Sequence, residues 1–176
     1  MLPLLYEIHR QPHLWDRNDA RLTPKGPFYE SHDIWLRYKD EAECKSSGDY
    51  SVFQKEHDSV WYPAYYALPS ARPLIFSLMA RLQGERLGGV LLWKVEPGKA
   101  IKQHVDTGWH VNYYDKFNIC LQSNPKAYFD YESERLYEKP GEVHRFLNTV
   151  PHSIVNEGDE DYTVLVVCIR AHDYQT

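Results

Sequence analysis

The sequence predicts a mainly β fold, with two sheets wrapped as a jelly roll behind a helical and irregular N-terminal cover, and three observations carry that prediction. From Gly89 onward, short apolar or alternating runs are separated by turn residues such as Pro97-Gly98 and Pro140-Gly141. Only one stretch, with Leu74, Ile75, Leu78, Met79 and Leu82, repeats its apolar residues at helical spacing. The 176 residues, 43% hydrophobic and 26% charged, suffice for one well-buried domain and are short for two.

Taken in order, the first part of the chain holds Pro3, Pro12, Pro24 and Pro27 among short apolar clusters, which argues against long helices. Residues 33–38 (DIWLRY) are the exception and read as a strand. Residues 39–50 (KDEAECKSSGDY), polar and Gly-containing, read as a surface loop. After an aromatic cluster at 61–66 (WYPAYY), Ser70 offers an N-cap and Pro73 is tolerated in a first helical turn, so a helix is expected over about 71–83 with its apolar stripe in the core. Strands are expected at 89–95, at 117–121 in alternation with Lys116, Asn118, Cys120 and Gln122, at 127–131, at 142–147 and at 161–170. Many short strands at close spacing, with one helix alongside, are the pattern of a double-sheet jelly roll of the cupin type. The expected organisation is a single domain over 1–176, with a cover at 1–87 and the jelly-roll core at 88–172.

A formal net charge of -5 leaves no basic surface of the kind that phosphate backbones select, so no nucleic-acid partner is expected. No run approaches the roughly 20 apolar residues that span a bilayer, and no N-terminal stretch joins a basic start to an apolar core. Neither membrane insertion nor export is therefore expected. Cys44, Cys120 and Cys168 lack metal-ligand spacing, and the last two lie in apolar runs where a free thiol acts as a small hydrophobe, which suits a cytoplasmic location.

The chemistry concentrates at His104-Val105-Asp106 and at His152. Residues two apart on an extended segment point the same way. A carboxylate and two imidazoles on one face of a metal, with the opposite positions open, form the facial triad of non-haem Fe(II) oxygenases. Trp109, Tyr113 and Tyr114 follow and are expected on a loop over the metal, either contacting substrate or packing under the loop. His110, His144 and His172 read as ordinary polar residues.

Further spacings accompany this set: Leu68-Pro69 before the helix, Gly98 six residues before His104, Pro140-Gly141, Phe146 six residues before His152, and Asn156 after it. Over about residues 61–173 the sequence thereby resembles the aspartyl/asparaginyl β-hydroxylase family, a branch of the Fe(II)/2-oxoglutarate dioxygenases. The resemblance implies Fe(II) held by His104 and His152, 2-oxoglutarate as chelating co-substrate, and O2 at the last position. It also implies hydroxylation of an amino-acid side chain, in a peptide or an amino-acid-derived small molecule, with release of succinate and CO2. Two departures stand out. Asp106 replaces a Gly of the best-known members and restores the full triad of His104, Asp106 and His152. Where the family supplies an Arg to clamp the far carboxylate of 2-oxoglutarate, this chain has Asp161-Tyr162-Thr163. That task favours a cation. Arg170 shares a strand and, by period-two counting, a face with Tyr162. Lys116 lies where the family carries an Arg on a neighbouring strand, and Asn118 resembles the position of a co-substrate His. Lys116, Asn118, Tyr162 and Arg170 are thus the co-substrate candidates. The missing Arg favours the alternative, a catalytically inactive cupin-like module that binds a metal or ligand.

Overall fold

The computed structural model describes residues 1–18, 26–131 and 134–171. Pro24 and His172, and with His172 the expected end of the core, lie outside the described residues. The fold is a double-sheet jelly roll. One sheet has six strands, ordered β2 (Ser59–Trp61), β1 (His32–Lys39), β3 (Gly84–Val95), β10 (Tyr162–Ala171), β5 (Asp115–Gln122) and β8 (Val143–Phe146). The other has four, ordered β4 (Ala100–His104), β9 (His152–Asn156), β6 (Ala127–Tyr131) and β7 (Glu134–Leu136). Every pairing among them is antiparallel.

The six-stranded sheet is buried on both faces, and this explains why β3 and β10 read as near-continuous apolar runs rather than as alternations. Its outer face carries Ile34, Leu36, Val90, Leu92, Leu165 and Val167. Against them pack Leu4 and Ile8 of α1 (Leu2–His9), Ala64 of α3 (Pro63–Ala67), and Ile75 and Leu78 of α4 (Ala71–Arg81). Its inner face carries Trp35, Leu91, Trp93, Val164 and Val166, which meet Ile101, Phe129 and Ile154 of the smaller sheet. The three cysteines are buried, and none is in a disulfide. Among the described residues, no helix is long and apolar enough to cross a membrane.

Helix α1 is only eight residues long, and Pro3 is tolerated in it because proline in a first turn loses no hydrogen bond that the helix would otherwise make. Two local expectations need correction. The expected loop at 39–50 contains α2 (Ala42–Ser47), stopped by Gly48 in the left-handed conformation at φ 69°. Ser70 occupies the cap position of α4, but its hydroxyl donates to Glu7 Oε1 at 2.6 Å instead of capping, and so pins α1 to α4. The boundary drawn at residue 88 also falls too late. Strands β1 and β2 are integral to the larger sheet, and Trp35 of β1 is only 1% exposed inside the barrel. The strand at 33–38 was legible, but its pairing with β3 is a long-range contact that local pattern does not encode.

Asn156 holds one end of the barrel shut. Its Nδ2 donates to the Val95 and Glu160 carbonyls at 2.8 and 2.9 Å. Its Oδ1 accepts from Asn124 Nδ2 at 2.9 Å and from the Gly158 N–H at 3.1 Å. All four hydrogen bonds belong to a side chain that is 0% exposed. Asn156→Ala is expected to lower unfolding free energy by about 2–3 kcal/mol in urea titrations, since it strands buried donors and acceptors.

Candidate metal centre

Strand β4 ends at His104 and β9 begins at His152, and the antiparallel register sets these two residues opposite one another. Their rings lie side by side, with centroids 4.3 Å apart. Just past β4, the Asp106 N–H donates to the Asn148 carbonyl at 2.9 Å, which keeps the aspartate beside the rings. The candidate ligand atoms of His104, Asp106 and His152 all lie within 4.8 Å of one another.

Hydrogen bonding decides which ring nitrogen is available. His104 Nδ1 lies 2.8 Å from the Lys102 carbonyl, and His152 Nδ1 lies 2.9 Å from the Val150 carbonyl. A carbonyl only accepts, so each Nδ1 carries the proton and each Nε2 presents a lone pair. Both Nε2 atoms are buried without a hydrogen-bond partner. His104 Nε2 does approach Asp106 Oδ1 to 3.3 Å, but without hydrogen-bond alignment. Two lone pairs and a carboxylate oxygen turned toward one another are costly when buried alone, and a cation resolves them. Burial pushes the His152 imidazole below its usual range, which favours the neutral form that a metal requires. Phe129 stacks on His152 at 5.6 Å, and Phe28 packs edge-on against His104 at 4.8 Å, limiting water on both flanks. The residues present fit a divalent metal.

The second carboxylate oxygen is held from behind. Asp106 Oδ2 accepts from Lys116 Nζ at 2.7 Å and from Asn148 Nδ2 at 3.3 Å. Lys116 projects from β5 into the barrel, where its ammonium lies 4.5 Å from the centre of the Trp93 ring and 5.2 Å from that of Phe146. A cleft of about 350 Å³ opens beside the triad, walled by Phe28, Trp35, Tyr38, Phe53 and His110. Among the described residues lining it, Lys116 is the one Lys or Arg.

The other co-substrate candidates lie elsewhere. Asn118 follows Lys116 on the inward face of β5 but is fully buried and does not line the cleft. Tyr162 is also buried, and its hydroxyl donates to the carboxylate of Glu138. Arg170 continues the inward parity of β10 to the rim, where its Nη1 donates to the Tyr113 carbonyl at 3.4 Å and its guanidinium covers the Tyr113 ring. The expected loop over the metal is instead a short helix, α5 (Trp109–Tyr113), in which Trp109 stacks on Tyr113. Trp109, Tyr113 and Tyr114 do not line the cleft, whereas His110 and Val111 do. His110 Nε2 accepts the Gly89 N–H at 3.0 Å. Neighbouring Gly88 permits this approach, since a Cβ there would come within 2.9 Å of that nitrogen. Two residues that the sequence reading passed over matter here. Asn148 braces Asp106 and Glu138 engages Tyr162, and neither stands in a motif or an alternating run that marks it.

A sequence-family profile described as aspartyl/asparaginyl beta-hydroxylase matches residues 30–171. No functionally curated protein matches the chain. Solved structures that resemble it include a predicted oxalate decarboxylase from Thermotoga maritima, at 20% identity and TM-score 0.39, covering 52% of this chain and 73% of that one. A cupin domain from Bordetella pertussis matches at 16% identity and TM-score 0.39, covering 49% and 85%. A Thermus thermophilus protein matches at 26% identity and TM-score 0.38, covering 50% and 76%.

Proposed function

The chain belongs to the aspartyl/asparaginyl β-hydroxylase family, and we propose that His104, Asp106 and His152 form the Fe(II) centre of a 2-oxoglutarate-dependent oxygenase. The reaction is hydroxylation of an amino-acid side chain, in a polypeptide or an amino-acid-derived small molecule, with release of succinate and CO2. The observation that carries this reading is the pair of buried, partnerless Nε2 atoms facing the Asp106 carboxylate. When bound, iron and 2-oxoglutarate supply the activation of O2.

The chain's own residues do the rest. The Lys102 and Val150 carbonyls fix both imidazole tautomers, so neither ring must reorient to offer a lone pair. Asn148 and Lys116 hold Oδ2 of Asp106, leaving Oδ1 toward the histidines. Lys116, already beside the metal position, is the described cation best situated to receive a carboxylate of the co-substrate. The aromatic walls keep the cleft poor in water, and its open side near Gln54 and Thr107 admits the substrate.

A binding module without turnover is the second reading. It is favoured by Tyr162, which engages Glu138 where the family supplies a cation. Succinate formation from 2-oxoglutarate by the Fe(II)-loaded protein separates the two, because uncoupled turnover needs no prime substrate. Lys116→Met is expected to raise the 2-oxoglutarate requirement about tenfold or more, measured at saturating Mn(II), because loss of the brace on Asp106 Oδ2 also weakens metal binding by about tenfold or more. Arg170→Met, at the rim, is expected to change either quantity little. An unchanged 2-oxoglutarate requirement in Lys116→Met removes Lys116 as the anchor.

A further inference from the structure

The floor of the cleft crosses four neighbouring strands of the larger sheet, with Trp35 on β1, Leu91 on β3, Cys168 on β10 and Lys116 on β5. Trp35 lies opposite Leu91 in register, and Cys168 opposite Lys116. At about 4.8 Å per strand, the floor runs roughly 14 Å from the metal end at Lys116 to the Trp35 end. Charge is confined to the metal end. Among the described residues lining the cleft, Asp106 is the one carboxylate and Lys116 the one Lys or Arg, and they are paired with each other at 2.7 Å. The other end is aromatic. The Trp35 ring lies 5.8 Å from that of Phe53, which a 3-10 helix (Tyr50–Gln54) carries, and 5.1 Å from that of Tyr38, which in turn lies 5.2 Å from His110. His110 accepts the Gly89 N–H on Nε2, so it joins this wall as a neutral ring. Gly89 also lets Tyr38 lie against β3, since a Cβ there would come 2.8 Å from the Tyr38 ring.

Resting on the oxygenase reading above, we propose that the prime substrate presents a large, uncharged apolar side chain, aromatic or branched aliphatic, to the Trp35 end of the cleft. This class differs from the aspartate and asparagine side chains that give the family its name. A carboxylate at that end would be desolvated with no cation to receive it, since Lys116 is committed to Asp106 and to the co-substrate. A cationic side chain finds aromatic faces there but no carboxylate, and it is repelled by the Lys116 ammonium, which already lies 4.5 Å from the centre of the Trp93 ring. An apolar side chain leaves water without either penalty, and its burial favours binding by about tenfold or more over a charged or amide side chain. The polarity of the cleft also orients the substrate. Its main chain stays at the open rim beside Gln54 and Thr107, and its side chain lies over Leu91 and Cys168, between the metal position and the aromatic wall.

The test uses the N-acetyl amides of phenylalanine, leucine, aspartate, asparagine and lysine as probes. Saturation-transfer NMR with the metal-free full chain reads binding to the cleft. Broadening of the probe side-chain protons in the Mn(II)- and 2-oxoglutarate-loaded protein reads their closeness to the metal. The phenylalanine and leucine probes are expected to bind about tenfold or more tighter than the other three, with side-chain protons broadened more than the acetyl methyl. Phe53→Ala removes part of the wall and is expected to weaken both apolar probes about tenfold. Val111→Lys brings a cation into the cleft from α5 and is expected to shift the preference toward aspartate. The assignment is overturned when neither apolar probe binds, when an aspartate, asparagine or lysine probe binds the unaltered protein as tightly, or when apolar binding is unchanged in both variants. Apolar preference that responds to both variants, without Mn(II) broadening or stimulated succinate formation, upholds the preference of the cleft and overturns instead the metal-centred reaction proposed above.

Discussion

His152→Ala is expected to weaken Mn(II) binding about a hundredfold or more and to abolish 2-oxoglutarate turnover. Loss of a side chain that only braces a ligand costs metal sites about 10–100-fold, and His152 is placed to be a ligand itself. Its imidazole is 2% exposed, has its tautomer fixed by the Val150 carbonyl, and offers Nε2 to the interior with no protein partner. The substitution also removes the ring stacked on Phe129, so some loss of stability is expected from the cavity. His152→Gln retains more of that volume and separates the two effects. Both variants are expected to lose metal binding, whereas only the alanine variant is expected to melt markedly earlier. Titration of Mn(II) against folded protein, followed by the bound fraction, reads the first effect, and a thermal melt reads the second.

Asp106→Gly is the second large effect, an expected fall in metal affinity of at least about tenfold, roughly 1.4 kcal/mol. Removal of the carboxylate deletes a negative charge and one bond, but a two-histidine site with solvent in the vacated position remains, so some turnover is compatible with the proposal. A complication lies in Lys116, whose buried ammonium loses its 2.7 Å partner. A buried charge left without its counter-ion destabilises the fold by several kcal/mol. Asp106→Asn avoids part of that cost, because an amide oxygen can still accept from Lys116 and Asn148. Equal metal affinity in folded Asp106→Gly and Asp106→Asn would remove the carboxylate from the ligand set while leaving the histidines.

Much of the fold was legible because strand alternation and turn residues are local signals. The inward stripe of Lys116, Asn118 and Cys120 follows from period two, and the apolar stripe of α4 follows from helical spacing. The His104, Asp106 and His152 constellation was visible because residue types alone restrict what chemistry such a set can perform. Register supplied the rest, by placing His104 opposite His152. The ends of strands were harder to judge. Arg170 has the inward parity expected of it, yet at the rim its cation is engaged with Tyr113. Glu138 was invisible for a different reason. Its meaning depends on Tyr162, 24 residues away in sequence and on another strand, and no periodicity links a turn residue to a partner across a barrel. The short helices α2 and α5 escaped notice because segments of six and five residues carry too few turns for a periodic signal.

The central claim, that the two orphaned imidazole nitrogens and the Asp106 carboxylate hold one metal ion, is tested most directly by anomalous diffraction from crystals grown with saturating Mn(II). The expected result is a single strong peak about 2.0–2.2 Å from Nε2 of His104, Nε2 of His152 and an oxygen of Asp106, a range typical of nitrogen and oxygen ligands. No peak at that point, with both Nε2 atoms more than about 4 Å from any bound manganese in an ordered site, would contradict it.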